Sequence, residues 1–316
     1  MRKLSAKFMG DLVDSNGVLH SILTRVKKDH TLMLAIRESY INIYYRGGNI
    51  LMLKEHNKGF YQASFDDQYN KSGLHIPDSP TEINHQNEVR SWIDSFPSRK
   101  NIMDEFFSTY GKVEREFQQL IARENNNSTI SNESEYFVSD IEFHEPYARF
   151  DILAIRWLAA QRKNGSNCKV ALIEMKYGDG ALWGSAGLLK HLKDMENLIS
   201  NKDSYAKLLE TMESQFNQLD ELGLLKFNKG TSNAKVKLNA DEKPEVIFIL
   251  ANHNPRSPKL KTILSDSEID KYAQSQLFDL KFYVASFAGY GLHAKCMLPL
   301  VEFRKLLLSS NLSNES

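Results

Sequence analysis

Two carboxylates and one lysine lie near the ends of consecutive apolar segments. Asp151 lies in the segment 148–160, and Glu174 and Lys176 lie at the end of the segment 169–177. Residues i and i+2 of a β-strand point to the same face, so Glu174 and Lys176 are expected to project together. If the two segments form neighbouring strands, Asp151 can converge on the same spot.

This set of side chains suits one kind of chemistry. Two carboxylates a few ångströms apart repel each other unless a cation lies between them, and their oxygen atoms suit Mg²⁺ or Mn²⁺. Mg²⁺ held by only two carboxylates keeps several waters, which can be activated or displaced by a phosphate oxygen. A lysine adds positive charge near the transition state or orients the attacking water. The reaction that this set serves best is hydrolysis of a phosphodiester.

The acidic-x-Lys triplet is common by itself, since a chain of this length and charge contains on the order of one or two by chance. Asp241-Glu-Lys243 and Asp279-Leu-Lys281 also fit the pattern. Those two stand before or at the start of predicted strands. Only Glu174-Met-Lys176 ends a strongly apolar strand and has an aspartate in the preceding strand. A plain alternative stays open, in which Glu174 and Lys176 form a surface ion pair and Asp151 caps a turn or pairs with Arg149.

The surrounding elements predict an α/β protein. Four short runs over 31–66, rich in Ile, Tyr, Leu and Phe, predict an antiparallel meander, and the first clear structure begins near Thr31. A short helix is predicted over 82–96, and the helix over 101–124 contains Gly111, which can divide it in two. Later helices are predicted near 181–200, 204–225, 267–276 and 300–308, and strands at 136–145, 148–160, 169–177, 245–253 and 280–289. The order predicts a mixed central sheet flanked by helices. We divide the chain into an N-terminal antiparallel β region (1–80) and a second domain (81–316).

Over roughly residues 101–300 the arrangement resembles the PD-(D/E)XK nuclease superfamily, which has the restriction-endonuclease-like fold. The resemblance implies that Asp151 and Glu174 bind the metal, that Lys176 is the catalytic lysine, and that the main-chain carbonyl of Met175 is a further ligand. It also implies a Mg²⁺-dependent nuclease, for which DNA is the expected substrate and RNA the alternative. One departure is that Phe150, rather than proline, precedes Asp151.

Many members of this superfamily place a glutamate on the helix before the strands, and the segment KVEREFQQLIA (112–122) resembles that helix. Glu114 is the best match, with Glu116 as the fallback, and its implied role is to support a metal-bound water. The alternative is that Glu114 is an exposed helix residue among Lys112 and Arg115.

Basic side chains around these strands are candidate contacts to a nucleic-acid backbone. On the helix that follows Lys176, the alternative is a solvated helix face. The candidates are Arg149, Arg156, Lys190, His191 and Lys193.

Composition limits the other functions. The chain has 40 Lys and Arg against 40 Asp and Glu, so it cannot coat a polyanion by bulk charge, and a nucleic-acid surface must be a local patch. Two cysteines, Cys168 and Cys296, exclude a disulfide scaffold, and we expect both to be reduced. With no signal-peptide pattern and no apolar run of membrane-spanning length, we expect a cytoplasmic protein without a membrane partner. Two alternatives for the function stay open on the same fold: a catalytically silent nucleic-acid-binding module and a protein-interaction module. A homodimer also stays open, as does the role of the meander.

Overall fold

The structure, a computed structural model, describes residues 1–146, 148–184, 187–229, 232–253, 258–283 and 291–309. It is a mixed α/β protein with one five-stranded antiparallel sheet and one six-stranded mixed sheet, flanked by helices. The chain forms two compact units, Met1–Arg123 with Ser214–Leu225, and Glu124–Glu213 with Lys226–Ser316. Residues 81–123, which the sequence-based division assigns to the second domain, therefore belong to the first unit.

The first unit contains the predicted meander, and its sheet has the strand order β1-β2-β3-β4-β5. Two helices that the sequence did not predict precede it. The Ser5 side chain accepts a hydrogen bond from the Phe8 N–H at the start of the first helix, and Phe8 and Leu12 are fully buried. The elements are α1 (Ala6–Val13), α2 (His20–Lys28), β1 (Leu32–Ile36), β2 (Tyr40–Tyr45), β3 (Gly48–Glu55), β4 (Tyr61–Ser64), β5 (Glu82–Ile83), α3 (Gln86–Thr109) and α4 (Val113–Asn126).

The helices α3 and α4 differ in part from the prediction. The break at Gly111 is confirmed, because α3 ends at Thr109 and α4 begins at Val113. However, α3 is one continuous helix through Pro97, where the sequence predicted two helices, one over 82–96 and one beginning at residue 101. Apolar residues on both sides of the proline, among them Phe96 and Ile102, are buried. We infer that this packing outweighs the hydrogen bond that proline removes from a helix interior.

The second unit contains the six-stranded sheet, in the order β11-β10-β9-β8-β7-β6. β9 pairs in parallel with β8 and β10, and the remaining neighbours are antiparallel. Of the strand predicted over 280–289, the first part is observed and residues 284–289 lie outside the described residues. The elements are β6 (Tyr136–Glu145), β7 (Ala148–Arg156), β8 (Lys169–Tyr177), α5 (Leu188–Ser200), α6 (Lys202–Glu221, whose last residues belong to the first unit), β9 (Glu245–Ala251), α7 (Pro258–Leu264), α8 (Ser267–Ala273), β10 (Asp279–Tyr283), β11 (Met297–Pro299) and α9 (Leu300–Ser309).

The strand β8 lies inside this sheet, between β7 and β9. Its residues 170–176 are all buried, so both faces of the strand are covered, as the continuous apolar run predicts. Helix α5 packs near β7, and α8 and α9 contact β10. Among the described residues, no helix is both long enough and apolar enough to span a bilayer.

A buried carboxylate ties four strands of this sheet together. The Glu245 side chain on β9 is 0% exposed. Its Oε1 accepts hydrogen bonds from Arg156 Nη1 on β7 (2.9 Å) and Lys281 Nζ on β10 (2.6 Å). Its Oε2 accepts one from the Tyr136 hydroxyl on β6 (2.7 Å). A buried charge is stable only when it is paired and hydrogen-bonded, and both conditions are met here.

Replacing Glu245 with glutamine is therefore expected to lower the free energy of unfolding by about 3 kcal/mol, because Arg156 and Lys281 lose their buried counter-charge. Urea unfolding followed by circular dichroism measures the change. Glu302→Gln, at an exposed position on α9, should change it by less than about 0.5 kcal/mol. Equal stability of the two variants would show that the cluster does not hold the sheet together.

Candidate active site

The pairing of β7 with β8 brings Asp151 beside Glu174. Ile152 pairs with Ile173, so the next step of the same antiparallel register sets Asp151 opposite Glu174. The Asp151 Oδ2 accepts a hydrogen bond of 2.8 Å from the main-chain N–H of Met175. The two carboxylates that the sequence analysis singled out therefore lie together on one face of the sheet.

Glu174 is a buried carboxylate with one oxygen engaged and the other not. Its side chain is 3% exposed, and that of Lys176 is 4% exposed. Oε1 accepts a hydrogen bond from Lys176 Nζ at 2.6 Å and lies 3.1 Å from His191 Nε2. Oε2 is buried and has no hydrogen-bond partner among the described residues. The Glu174–Lys176 pair is thus an interior pair and not the surface ion pair considered above.

Both carboxylates hold protons more tightly than usual. Burial, together with the negative charge of Asp151, raises the pKa of Glu174 well above its usual range, although Lys176 opposes the change. Burial also raises the pKa of Asp151, while the Met175 N–H and the charge of Lys176 lower it in part. Desolvation and like charge both disfavour the ionised form of a carboxyl group. A cation bound at this point would remove much of that cost.

His191, in the first turns of α5, lies against Glu174. Burial and the positive charge of Lys176 lower the pKa of His191 to about 4. The ring is therefore uncharged at neutral pH, with its Nε2 at 3.1 Å from Glu174 Oε1. The contact places His191 beside Glu174, and the predicted role of His191 as a nucleic-acid contact stays a prediction.

Two of the other predicted nucleic-acid contacts, Arg149 and Lys190, are exposed and close enough for their charges to act on His191, and a third, Lys193, is exposed on the same helix as Lys190. Arg149 lies two residues from Asp151 on β7 and so on the same face, and its charge acts on His191. Lys190 and Lys193 are exposed on α5, where Lys190 pairs with Asp194.

Arg156 lies elsewhere. It is five residues from Asp151 along β7, roughly 17 Å at the usual rise per residue and on the opposite face. Its Nη1 binds Glu245 in the buried cluster described above. The structure gives Arg156 a structural partner and does not bring it to Asp151.

Glu114 and Glu116 lie on α4 in the first unit. The Glu116 carboxylate binds Arg46, with a distance of 3.0 Å between Oε1 and Nε. The implied role of Glu114 in supporting a metal-bound water stays a prediction.

The turn after β8 is hydrogen-bonded to the end of β9. The sequence analysis did not predict this contact. Gly178 has φ +72°, and its N–H donates to the Ala251 carbonyl at 2.9 Å. His253 Nε2 lies 3.1 Å from the Lys176 carbonyl oxygen, and its Nδ1 lies 2.9 Å from Asp179 Oδ1. The position of His253, two residues after a buried strand, could have predicted this contact. The carboxyl ends of parallel strands meet at the same edge of a sheet, so His253 is expected to lie near the end of β8.

Comparison of the chain with protein-family models, with curated proteins and with solved structures found no match. The resemblance to the PD-(D/E)XK superfamily therefore stays a prediction, which rests on Asp151, Glu174 and Lys176 and on the strands that carry them. Within the part of the chain that the structure describes, no group of three or more His, Cys, Asp and Glu side chains is arranged to hold a metal ion. A cation bound here would use two carboxylates and water, and the main-chain carbonyl of Met175 stays a predicted further ligand.

Proposed function

We propose that this protein is a Mg²⁺-dependent nuclease with a restriction-endonuclease-like domain, which hydrolyses phosphodiester bonds in DNA. The observation that carries the proposal is the buried Oε2 of Glu174, which has no hydrogen-bond donor among the described residues and lies beside the carboxyl group of Asp151. A buried acceptor without a partner costs about 1–3 kcal/mol, and more when it is charged. A divalent cation satisfies this oxygen and separates the two like charges.

The donor set fits Mg²⁺ or Mn²⁺. Both ligand side chains offer oxygen atoms, which hard cations prefer. Neither cysteine belongs to the site. Cys168 is buried, with its thiol donating to the Gly165 carbonyl at 2.9 Å, and Cys296 directly precedes β11, at the edge of the sheet and three strands from β8. Two carboxylates leave room for several water ligands, and hydrolysis requires such water.

Each residue has a distinct task in this proposal. Asp151 and Glu174 hold the cation, which when bound supplies an activated water and positive charge next to the phosphate. Lys176, whose Nζ donates a hydrogen bond to Glu174 Oε1, stabilises the negative charge that develops on the phosphate oxygens. His191, whose Nε2 lies 3.1 Å from Glu174 Oε1, limits the movement of the Glu174 side chain by packing against it. The hydrogen bond from the Met175 N–H fixes the Asp151 carboxylate before any ligand arrives.

DNA is proposed as the substrate because exposed basic side chains lie near the same face. Arg149 is two residues from Asp151, and Lys190 and Lys193 lie on the helix that carries His191. Contacts of this kind bind phosphates without reading sequence. The catalytically silent binding module remains the second candidate, since it would use the same basic side chains.

The proposal predicts cleavage of plasmid and single-stranded DNA with Mg²⁺ or Mn²⁺ and none with EDTA. It also predicts a gel shift in Ca²⁺ that weakens as salt rises, because bound phosphates release counter-ions. Arg149→Ala should reduce the salt slope of binding by about 1, whereas Arg90→Ala, an exposed arginine of α3, should not. A shift without cleavage would favour the silent module. Neither shift nor cleavage would favour a protein-interaction module.

A further inference from the structure

The strand β6 brings a third carboxylate to the row that contains Asp151 and Glu174. Ile141 pairs with Ile152, and Phe143 pairs with Phe150, so Glu142 lies opposite Asp151. Directly opposite residues of an antiparallel pair point to the same face, with Cβ atoms about 4.5–5.5 Å apart. Glu142, Asp151 and Glu174 thus form a line across three adjacent strands, which we call the carboxylate row.

A second line of basic residues lies one step from the carboxylate row, on the same face. His144 pairs with Arg149 across β6 and β7, each two residues from a member of the carboxylate row. Lys176 is two residues beyond Glu174 on β8. The step between the two lines is roughly 7 Å along the strands. A cation at the carboxylate row would therefore lie next to positive charge suited to a phosphate.

We propose that Glu142 is the third carboxylate of the site and that it binds a water in the hydration shell of the cation held by Asp151 and Glu174. The inference rests on the proposed cation site. The buried Oε2 of Glu174, which no donor within the described part of the chain satisfies, marks the place of the cation independently of Glu142. Because the described residues hold no preformed group of three ligands, the third carboxylate acts through water, which Mg²⁺ retains readily.

Two further observations agree with this role. Glu142 has φ +50°, a left-handed conformation that is uncommon for a residue other than glycine and costs about 1–3 kcal/mol. Such strain is concentrated at functional sites. In addition, the pKa of Asp151 is raised chiefly by burial, and the negative charge of Glu142 adds to that increase. Glu142 is therefore within electrostatic reach of Asp151.

Calorimetric titration of the full chain with Mn²⁺ tests the proposal. Glu142→Gln should weaken Mn²⁺ binding about 10- to 100-fold, the usual loss when a group supporting the metal ligands is removed. Glu145→Gln is the matched control, since this residue lies three positions along β6 and so on the other face. Equal affinity of the native protein and Glu142→Gln would overturn the proposal.

A second variant guards against misfolding. Glu142→Asn also removes this carboxylate, and asparagine tolerates a positive φ better than glutamate. It should therefore bind Mn²⁺ as weakly as Glu142→Gln does. Its unfolding temperature should equal or exceed that of the native protein. If Mn²⁺ binding depends on Glu142 but the protein cuts no DNA, the result would support the role of Glu142 and contradict the proposed nuclease activity. A native protein that binds no Mn²⁺ would contradict both.

Discussion

Lys176→Met is expected to reduce the rate of DNA cleavage by about 10²- to 10³-fold, the usual effect of removing one group that stabilises transition-state charge. Methionine keeps most of the length of the side chain and removes its charge. Because Lys176 is not a metal ligand in this proposal, Mn²⁺ binding should persist. The combination of lost turnover and retained metal distinguishes a catalytic lysine from one that only stabilises the fold.

The matched control for this prediction is Lys169→Met. Lys169 lies at the start of the same strand, roughly 23 Å from Lys176 at the usual rise, and its Nζ binds Asp279 Oδ2 at 3.1 Å. The control therefore removes the same charge and one ion pair from β8 without touching the site. Single-turnover cleavage of labelled DNA with saturating Mg²⁺ measures both variants. Equal cutting by Lys176→Met and the native protein would remove the catalytic assignment.

Asp151→Asn is expected to weaken Mn²⁺ binding by more than about 10²-fold and to abolish cleavage, because the site loses one of its two anionic ligands. Asparagine keeps an oxygen that can accept the hydrogen bond from the Met175 N–H. The fold around the site should therefore survive, so the loss can be attributed to the charge. Calorimetry and the cleavage assay together measure the effect.

The same variant should change the pH dependence of stability in the absence of metal. Burial raises the pKa of Asp151 and, more strongly, that of Glu174, so the folded protein holds protons that the unfolded chain has released. The stability of the metal-free protein should therefore fall as pH rises above about 4, the usual carboxylate range. Asp151→Asn removes one of the two charges and should be more stable than the native protein at pH 7 by on the order of 1 kcal/mol.

Thermal unfolding in EDTA from pH 5 to pH 8, repeated with Mn²⁺, measures this effect. Mn²⁺ should stabilise the native protein increasingly as pH rises, because binding requires both carboxylates to be ionised. Asp241→Asn is the control, since it removes an exposed aspartate from a competing acidic-x-Lys triplet. A metal-free native protein that becomes more stable between pH 5 and pH 8, with no difference from Asp151→Asn, would contradict the proposed charge repulsion.

Elements with a long local pattern could be predicted from the sequence. The apolar run over 169–177 predicts β8 and its burial, and the alternation over 40–46 predicts a strand of the meander. The helices α1 and α2 escaped prediction because each has only eight or nine residues, and such short helices depend on packing more than on propensity. The assignment of residues 81–123 to the first unit likewise depends on which surfaces meet, which no local pattern records.

At the site, the sequence by itself determined that Glu174 and Lys176 project from one face of a buried strand, because the two-residue period of a strand is a local property. Only the tertiary structure decided which distant residues join them. The register of β6, β7 and β8 sets Glu142 and Asp151 in line with Glu174, and helix packing brings His191 to 3.1 Å from its carboxylate. Strand register and helix docking arise from contacts between residues far apart in the chain, so a local pattern carries no record of them.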